Sequence, residues 1–192
     1  MLRAAGVAPG TPGEVWFQDG HGVEGPHVRI GQQGTLSRIW ARRETRPRAP
    51  RDQRYRWAYL FGAVCPARGT GAALVLPHAN AHAMTLHLDE IGRCVAPGAH
   101  GVVLLDGAGY HVAKDLKVPA NLSLLPLPPY SPELKAQENV RQYLRQNKLS
   151  LTVWDGYKGI VGHCCEVWNW LMAMPEQITS IASREWAQAV SI

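Results

Sequence analysis

Acidic side chains are scarce in this chain. Fifteen Asp and Glu stand against 20 Lys and Arg, giving a formal net charge of +5 and a pI near 9.2. That balance speaks against a cationic partner and fits an anionic one, of which nucleic acid is the commonest. Read from charge alone, a basic protein with no specific partner fits equally well. Cysteine is sparse too: the four residues Cys65, Cys94, Cys164 and Cys165 form no CxxC pair, and two are adjacent. They make no disulfide framework and read as reduced thiols of a cytosolic protein. No apolar run approaches the roughly 20 residues that span a bilayer. The opening MLRAAGVAPGTPG has one arginine and no apolar core, so it is not a secretory signal. What remains, 192 residues with 46% hydrophobic and 18% charged, suits one domain with a real core.

Residues 1–13 are rich in Gly and Pro and read as a linker remnant, leaving 14–192 as the domain. Apolar stretches at 14–17, 35–41, 57–66 and 71–77 read as strands, and the glycine-rich segment 20–34 between the first two as a loop or wide turn. Residues 42–56, RRETRPRAPRDQRYR, hold seven arginines and two prolines and predict an exposed loop. Met84, Leu88, Ile91 and Val95 recur at helical spacing, with Asn80 placed to cap that helix. GVVLLD is a buried-strand run ending in Asp106, NLSLLPLPP a further strand, and 131–149 and 155–173 read as helices. Hairpin-linked strands followed by alternating elements predict an α/β fold, a mixed sheet with helices on its faces.

Two apolar strands thus end in carboxylates, Asp19 and Asp106, and Glu138 lies early in a helix. Eighty-six residues separate the first pair and 31 the second. If the two strands are parallel neighbours, Asp19 and Asp106 stand side by side, and their repulsion calls for a cation between them. Hard oxygen donors suit Mg²⁺ or Mn²⁺, and two such ions about 4 Å apart serve in-line phosphoryl displacement. A strand-end Asp is also the ordinary place for a capping or loop residue, and spacing alone leaves both readings open.

The stretch VVLLDGAGYH…LPLPPYSPELKAQENVRQYLRQNKLS resembles the core of the DDE-superfamily transposases of bacterial insertion sequences, relatives of the mariner group. The matching elements are Asp106, His111, Leu127 to Leu134, and Glu138 with Asn139; upstream, VWFQD resembles the family's first strand and supplies Asp19. The resemblance implies a ribonuclease H-like fold, a mixed five-stranded sheet with helices on both faces. It implies metal held by Asp19, Asp106 and Glu138, as two Mg²⁺ or Mn²⁺ ions, with His111 as an accessory group. The implied activity is cleavage of DNA at transposon ends and transfer of the freed 3′-hydroxyl to target DNA. Arg42, Arg43, Arg46, Arg48, Arg51 and Arg54 would contact DNA phosphates, although a solvated turn is the alternative for that loop. Trp40 and Trp57 flank the loop, where base stacking competes with core packing.

Four features depart from the family. Gly20 and an insertion, HGVEGPH, follow Asp19; Lys135 and Ala136 replace an Asn-Pro helix start; Arg141 stands where a Trp is usual. Such enzymes also carry an N-terminal helix-turn-helix region, expected here as a separately encoded half. The expected partners are DNA, that half and a second copy in a homodimer, with no membrane. The expected place is the bacterial cytoplasm, at the nucleoid. The competing expectation is a truncated, catalytically impaired transposase remnant that binds DNA or a partner without chemistry. A zinc site at His78, His82 and His87, and a nucleophilic Cys164, are weaker candidates lacking the ligand set or base each needs.

Overall fold

A computed structural model describes residues 13–18, 28–32, 42–44, 54–105, 115–127, 136–150 and 152–183, with backbone only for Gln18, Val28 and residues 136–138. Among the described residues, six strands form one sheet: β1 (Gly13–Gln18), β2 (Val28–Gly31), β3 (Trp57–Cys65), β4 (Thr70–Leu76), β5 (His100–Leu105) and β6 (Leu122–Pro126). The helices are α1 (Ala81–Cys94), α2 (Ala136–Leu144), α3 (Tyr157–Met172) and α4 (Pro175–Ala182). β3 is the pivot. Its one edge pairs antiparallel with β4, while its other edge takes β2 along Trp57–Leu60 and β1 at Ala63 and Val64. Beyond β1 the pairing turns parallel, β1 with β5 and β5 with β6. Five strands, β4-β3-β1-β5-β6, therefore cross the sheet in the expected ribonuclease H-like arrangement.

The sixth strand corrects the reading of residues 20–34 as loop. Val-Arg-Ile-Gly is too short and too glycine-bounded to announce itself, and it is a strand because β3 offers it a free edge. Ile30 is buried on the sheet, and a Cβ on Gly31 would sit 2.7 Å from the Arg56 carbonyl and from Trp57 Cβ. Only glycine permits that approach. The expected strand at 35–41 lies outside the described residues.

Helices cover both faces. On one, α1 sets Met84, Leu88 and Ile91 against Trp16, Ala63, Val103 and Leu105; on the other, α2, α3 and α4 pack Val140, Leu144, Ile160, Leu171 and Ile178 against Phe17, Leu60, Val102 and Leu104. Strand alternation divides the two cores: Trp16 and Phe17 face opposite ways, as do Val103 and Leu104. β5 is buried along its whole length, as its unbroken apolar run implied. α1 starts where the sequence placed its cap, Asn80 Oδ1 accepting from the Ala83 amide at 2.9 Å. The helix expected over 131–149 is described from Ala136 and ends in a π turn, Arg145–Leu149, closed by Ser150 N donating to the Arg145 carbonyl at 3.1 Å. Asn147 donates to the Tyr143 carbonyl (2.8 Å) and the Lys148 ammonium lies 5.0 Å over the Trp170 ring. These contacts hold the wider turn in place. The helix expected over 155–173 is α3, and a further helix, α4, follows it with Pro175 in its first turn.

Leu171 is fully buried and Leu86 is 39% exposed. Leu171→Ala should cost about 2–5 kcal/mol in urea unfolding, while Leu86→Ala should stay within about 0.5 kcal/mol.

Candidate active site at the carboxyl ends of β1 and β5

β1 and β5 run parallel in a register that holds for five successive pairs, from Gly13 opposite His100 to Phe17 opposite Leu104. Their C-terminal ends therefore lie together at one end of the sheet. Asp19 follows β1 directly in the sequence, as Asp106 follows β5. Both lie outside the described residues, as do Arg46, Arg48, Arg51, Trp40 and His111. Glu138 has its backbone in the first turn of α2. That helix packs against the sheet through Val140 and Leu144, in the same core as Phe17 and Leu104. α2 is braced from its other side by α4, Asn139 Nδ2 donating to the Ile181 carbonyl at 3.0 Å. The elements that carry the three carboxylates are thus adjacent: two neighbouring strands and a helix lying on them.

Of the arginines marked for DNA, Arg42 and Arg43 are exposed. Arg54 also serves the fold, its Nη2 donating to the Trp154 carbonyl at 2.7 Å. The same carbonyl accepts from Gln32 Nε2 at 2.8 Å, while Gln32 Oε1 accepts from the Arg56 amide at 3.3 Å. Gln32 is buried and its amide is used at both ends, so β2, the run into β3 and the segment before α3 are knotted together. Sequence reading missed Gln32, because its partner lies 122 residues away. Trp57, for which base stacking and core packing competed, is 38% exposed at the start of β3, with the Arg29 guanidinium 5.2 Å over its ring.

The opposite end of β1 is pinned by a buried carboxylate. Glu14 accepts from Trp16 Nε1 (3.1 Å), from the Ala96 amide (3.2 Å) and from Arg68 Nη1 (3.2 Å), and Arg68 also reaches the Cys94 carbonyl at 2.7 Å. A buried charge so fully bonded is a fixture of the fold rather than a reagent.

The weaker candidates are scattered. His78 and His82 are exposed, whereas His87 is buried with its ring 5.8 Å from that of Phe61. Among the described residues no group of three His, Cys, Asp or Glu gathers to hold a metal. Cys164 sits in the core beneath α3, where burial pushes its thiol up to about 12; burial likewise raises Cys65 to about 11. Neither is a thiolate near neutrality.

Comparison with known proteins brings in the family. The model of the DDE superfamily endonucleases matches residues 25–155, a segment that holds Asp106 and Glu138 and begins after Asp19. The uncharacterized protein y4pE/y4sA of Sinorhizobium fredii is 56% identical over 131 residues, 68% of this chain and 97% of that protein. In fold, the chain is similar to the Mos1 strand transfer complex, with a TM-score of 0.56 at 15% identity over 89% of this chain and 55% of that one. The Mos1 mariner paired end complex with Mn gives 0.58 at 16% identity, over 89% and 56%. The chain therefore spans about half the length of the Mos1 chains it matches.

Iodoacetamide at pH 8 should modify exposed Cys165 first and leave Cys65 and Cys164 intact until denaturant is added. Peptide mass mapping reads this out; labelling of native Cys164 as fast as Cys165 would contradict its place in the core.

Proposed function

The chain belongs to the DDE superfamily endonucleases, and on that premise we propose that it is the catalytic part of a transposase that cuts and joins DNA. The β1–β5 register is the observation that carries this reading. The pairing that sets Phe17 opposite Leu104, carried two residues further, would set Asp19 opposite Asp106. Neighbouring strands lie about 4.8 Å apart. Residues two apart share a face, so both aspartates would lie on the side of Phe17 and Leu104, the side on which α2 carries Glu138.

This donor set fits hard divalent cations: three carboxylates from adjacent elements, two of them too close to remain ionised without a positive charge. Asp19, Asp106 and Glu138 would hold Mg²⁺ or Mn²⁺, as two ions. When bound, the ions would supply the positive charge that stabilises attacking and leaving oxygens in phosphodiester displacement. Solved Mos1 complexes are described with Mn and with Mg, in accord with that choice. His111, five residues beyond Asp106, would position the substrate. The arginines of loop 42–56 would hold DNA phosphates and set the register of the duplex without reading its sequence. End recognition would belong to a separately encoded N-terminal half. A homodimer acting at the nucleoid in the cytoplasm completes the proposal, and no helix among the described residues is long and apolar enough to cross a membrane.

One observation favours a second reading, a remnant that binds DNA without chemistry. Arg141 stands three residues after Glu138 on α2, where side chains at i and i+3 are neighbours. A guanidinium there competes with metal for the carboxylate.

Purified protein with Mn²⁺ and supercoiled plasmid separates the two readings. Nicking is expected, and Asp106→Asn and Glu138→Gln should each reduce it by more than about a hundredfold, since outer-shell changes alone cost about 10–100-fold. A folded wild type that binds DNA but never nicks leaves only the remnant. In a separate measurement, the double substitution Arg42→Ala with Arg43→Ala should lower the slope of log K against log salt for duplex binding by about 2, at about 0.9 for each phosphate contact. An unchanged slope removes these two side chains from the DNA.

A further inference from the structure

α2 lacks the family's start signal, since Lys135 and Ala136 replace the Asn-Pro pair, yet its first turn carries Glu138. Helix ends fray unless something outside the helix holds them. On the sheet side Val140 and Leu144, one turn apart, lie in the core. Apolar burial is non-directional, so it fixes where the helix lies more firmly than its rotation about its own axis. Rotation is what a carboxylate on the first turn feels. A helix with its side chains is about 10–12 Å across, so a roll of about 10° moves a side-chain tip by about 1 Å. Misplacement of that size can cost about a hundredfold in catalysis.

Two directional contacts set the rotation, and both stand on one flank of α2. Asn139 Nδ2 donates to the Ile181 carbonyl at 3.0 Å. Tyr143, one turn on, stacks on the Trp170 ring of α3, with centroids 5.7 Å apart and planes 7° from parallel. Ile181 belongs to the last turn of α4, whose final carbonyls have no donor within their own helix. A carbonyl only accepts, so the amide nitrogen of Asn139 is the end that faces it. α4 is a firm support, because Ile178 and Ala182 are buried and Thr179 Oγ1 donates to the Pro66 carbonyl at 2.7 Å. Successive helical positions turn by about 100°, which sets Asn139 to one side of Glu138 and Arg141 about 60° to the other. The bond thus holds the first turn by the flank away from the guanidinium that competes for Glu138. Resting on the reading of Glu138 as a metal ligand, we propose that Asn139 is a positioning residue. Its bond to α4 fixes the rotation of the first turn of α2, and with it the direction in which Glu138 meets the metal ions.

Asn139 is exposed, and alanine is the better helix former, so Asn139→Ala tests aim rather than folding. Mn²⁺ binding, read from the EPR signal of free Mn²⁺, is measured for wild type, Asp106→Asn, Asn139→Ala and Gln142→Ala. The melting temperature of each protein is taken without metal. Asn139→Ala should weaken Mn²⁺ binding by about 10–100-fold and keep the melting temperature within about 2 °C. Gln142→Ala, an exposed change on the same helix, should alter neither. In plasmid nicking, Asn139→Ala should need correspondingly more Mn²⁺ for half-maximal rate, with KM for plasmid unchanged. Wild-type Mn²⁺ affinity in Asn139→Ala overturns the proposal. So does a loss that Gln142→Ala shares, or one that comes only with a lowered melting temperature. If wild type binds no Mn²⁺ that Asp106→Asn removes, the carboxylate reading itself has failed and the proposal falls with it, a result seen before Asn139 is changed.

Discussion

Everything at the candidate site depends on the parallel pairing of β1 with β5. A one-residue slip would send Trp16 into the core built for Phe17 and turn every following side chain to the wrong face. Two features forbid that slip. The side chains of the two strands lock into separate cores, indole against α1 and phenyl against α2 and α3. Glu14 then ties the start of β1 to the turn after β3, through Arg68, and to the end of α1, through the Ala96 amide. The strand is anchored at the end away from the carboxylates.

This division of labour explains what was legible in the sequence. β5 and α1 announce themselves, one as an unbroken apolar run and the other as a periodic stripe behind an Asn cap, because burial dictates their residues directly. Asp106 and Glu138 were marked by a long motif, since spacing alone makes strand-end carboxylates ordinary. β2 was invisible: four residues among glycines become a strand only through an edge of β3 that is 26 or more residues distant in the chain. The same holds for Gln32 and Arg54, both in the first half of the sequence, which converge on the carbonyl of Trp154 in the second. Arg54, which the sequence offered only as part of a basic run, has a bond within the fold that no local pattern announces. The π turn after α2 depends on Trp170 and His163 of α3, the latter bonded to the Lys148 carbonyl at 3.0 Å, and no local signal announces it.

The knot around Trp154 has a mechanical meaning. β2 and the first residues of β3 extend past the end of β1 as a ribbon that β4 backs only from Tyr59 onward. Gln32 and Arg54 fasten this ribbon to the chain just before α3, and α3 packs on the sheet through Ile160, Val167 and Leu171. On the function proposed above, a surface holding DNA while a phosphodiester reacts would gain from such backing, because displacement of about 1 Å at the reacting centre is costly to catalysis. Exposed Trp57 and Arg29 therefore project from braced strands. Their exposure is a property the fold maintains against the hydrophobic effect, at the end of the sheet where the carboxylate-bearing strands finish.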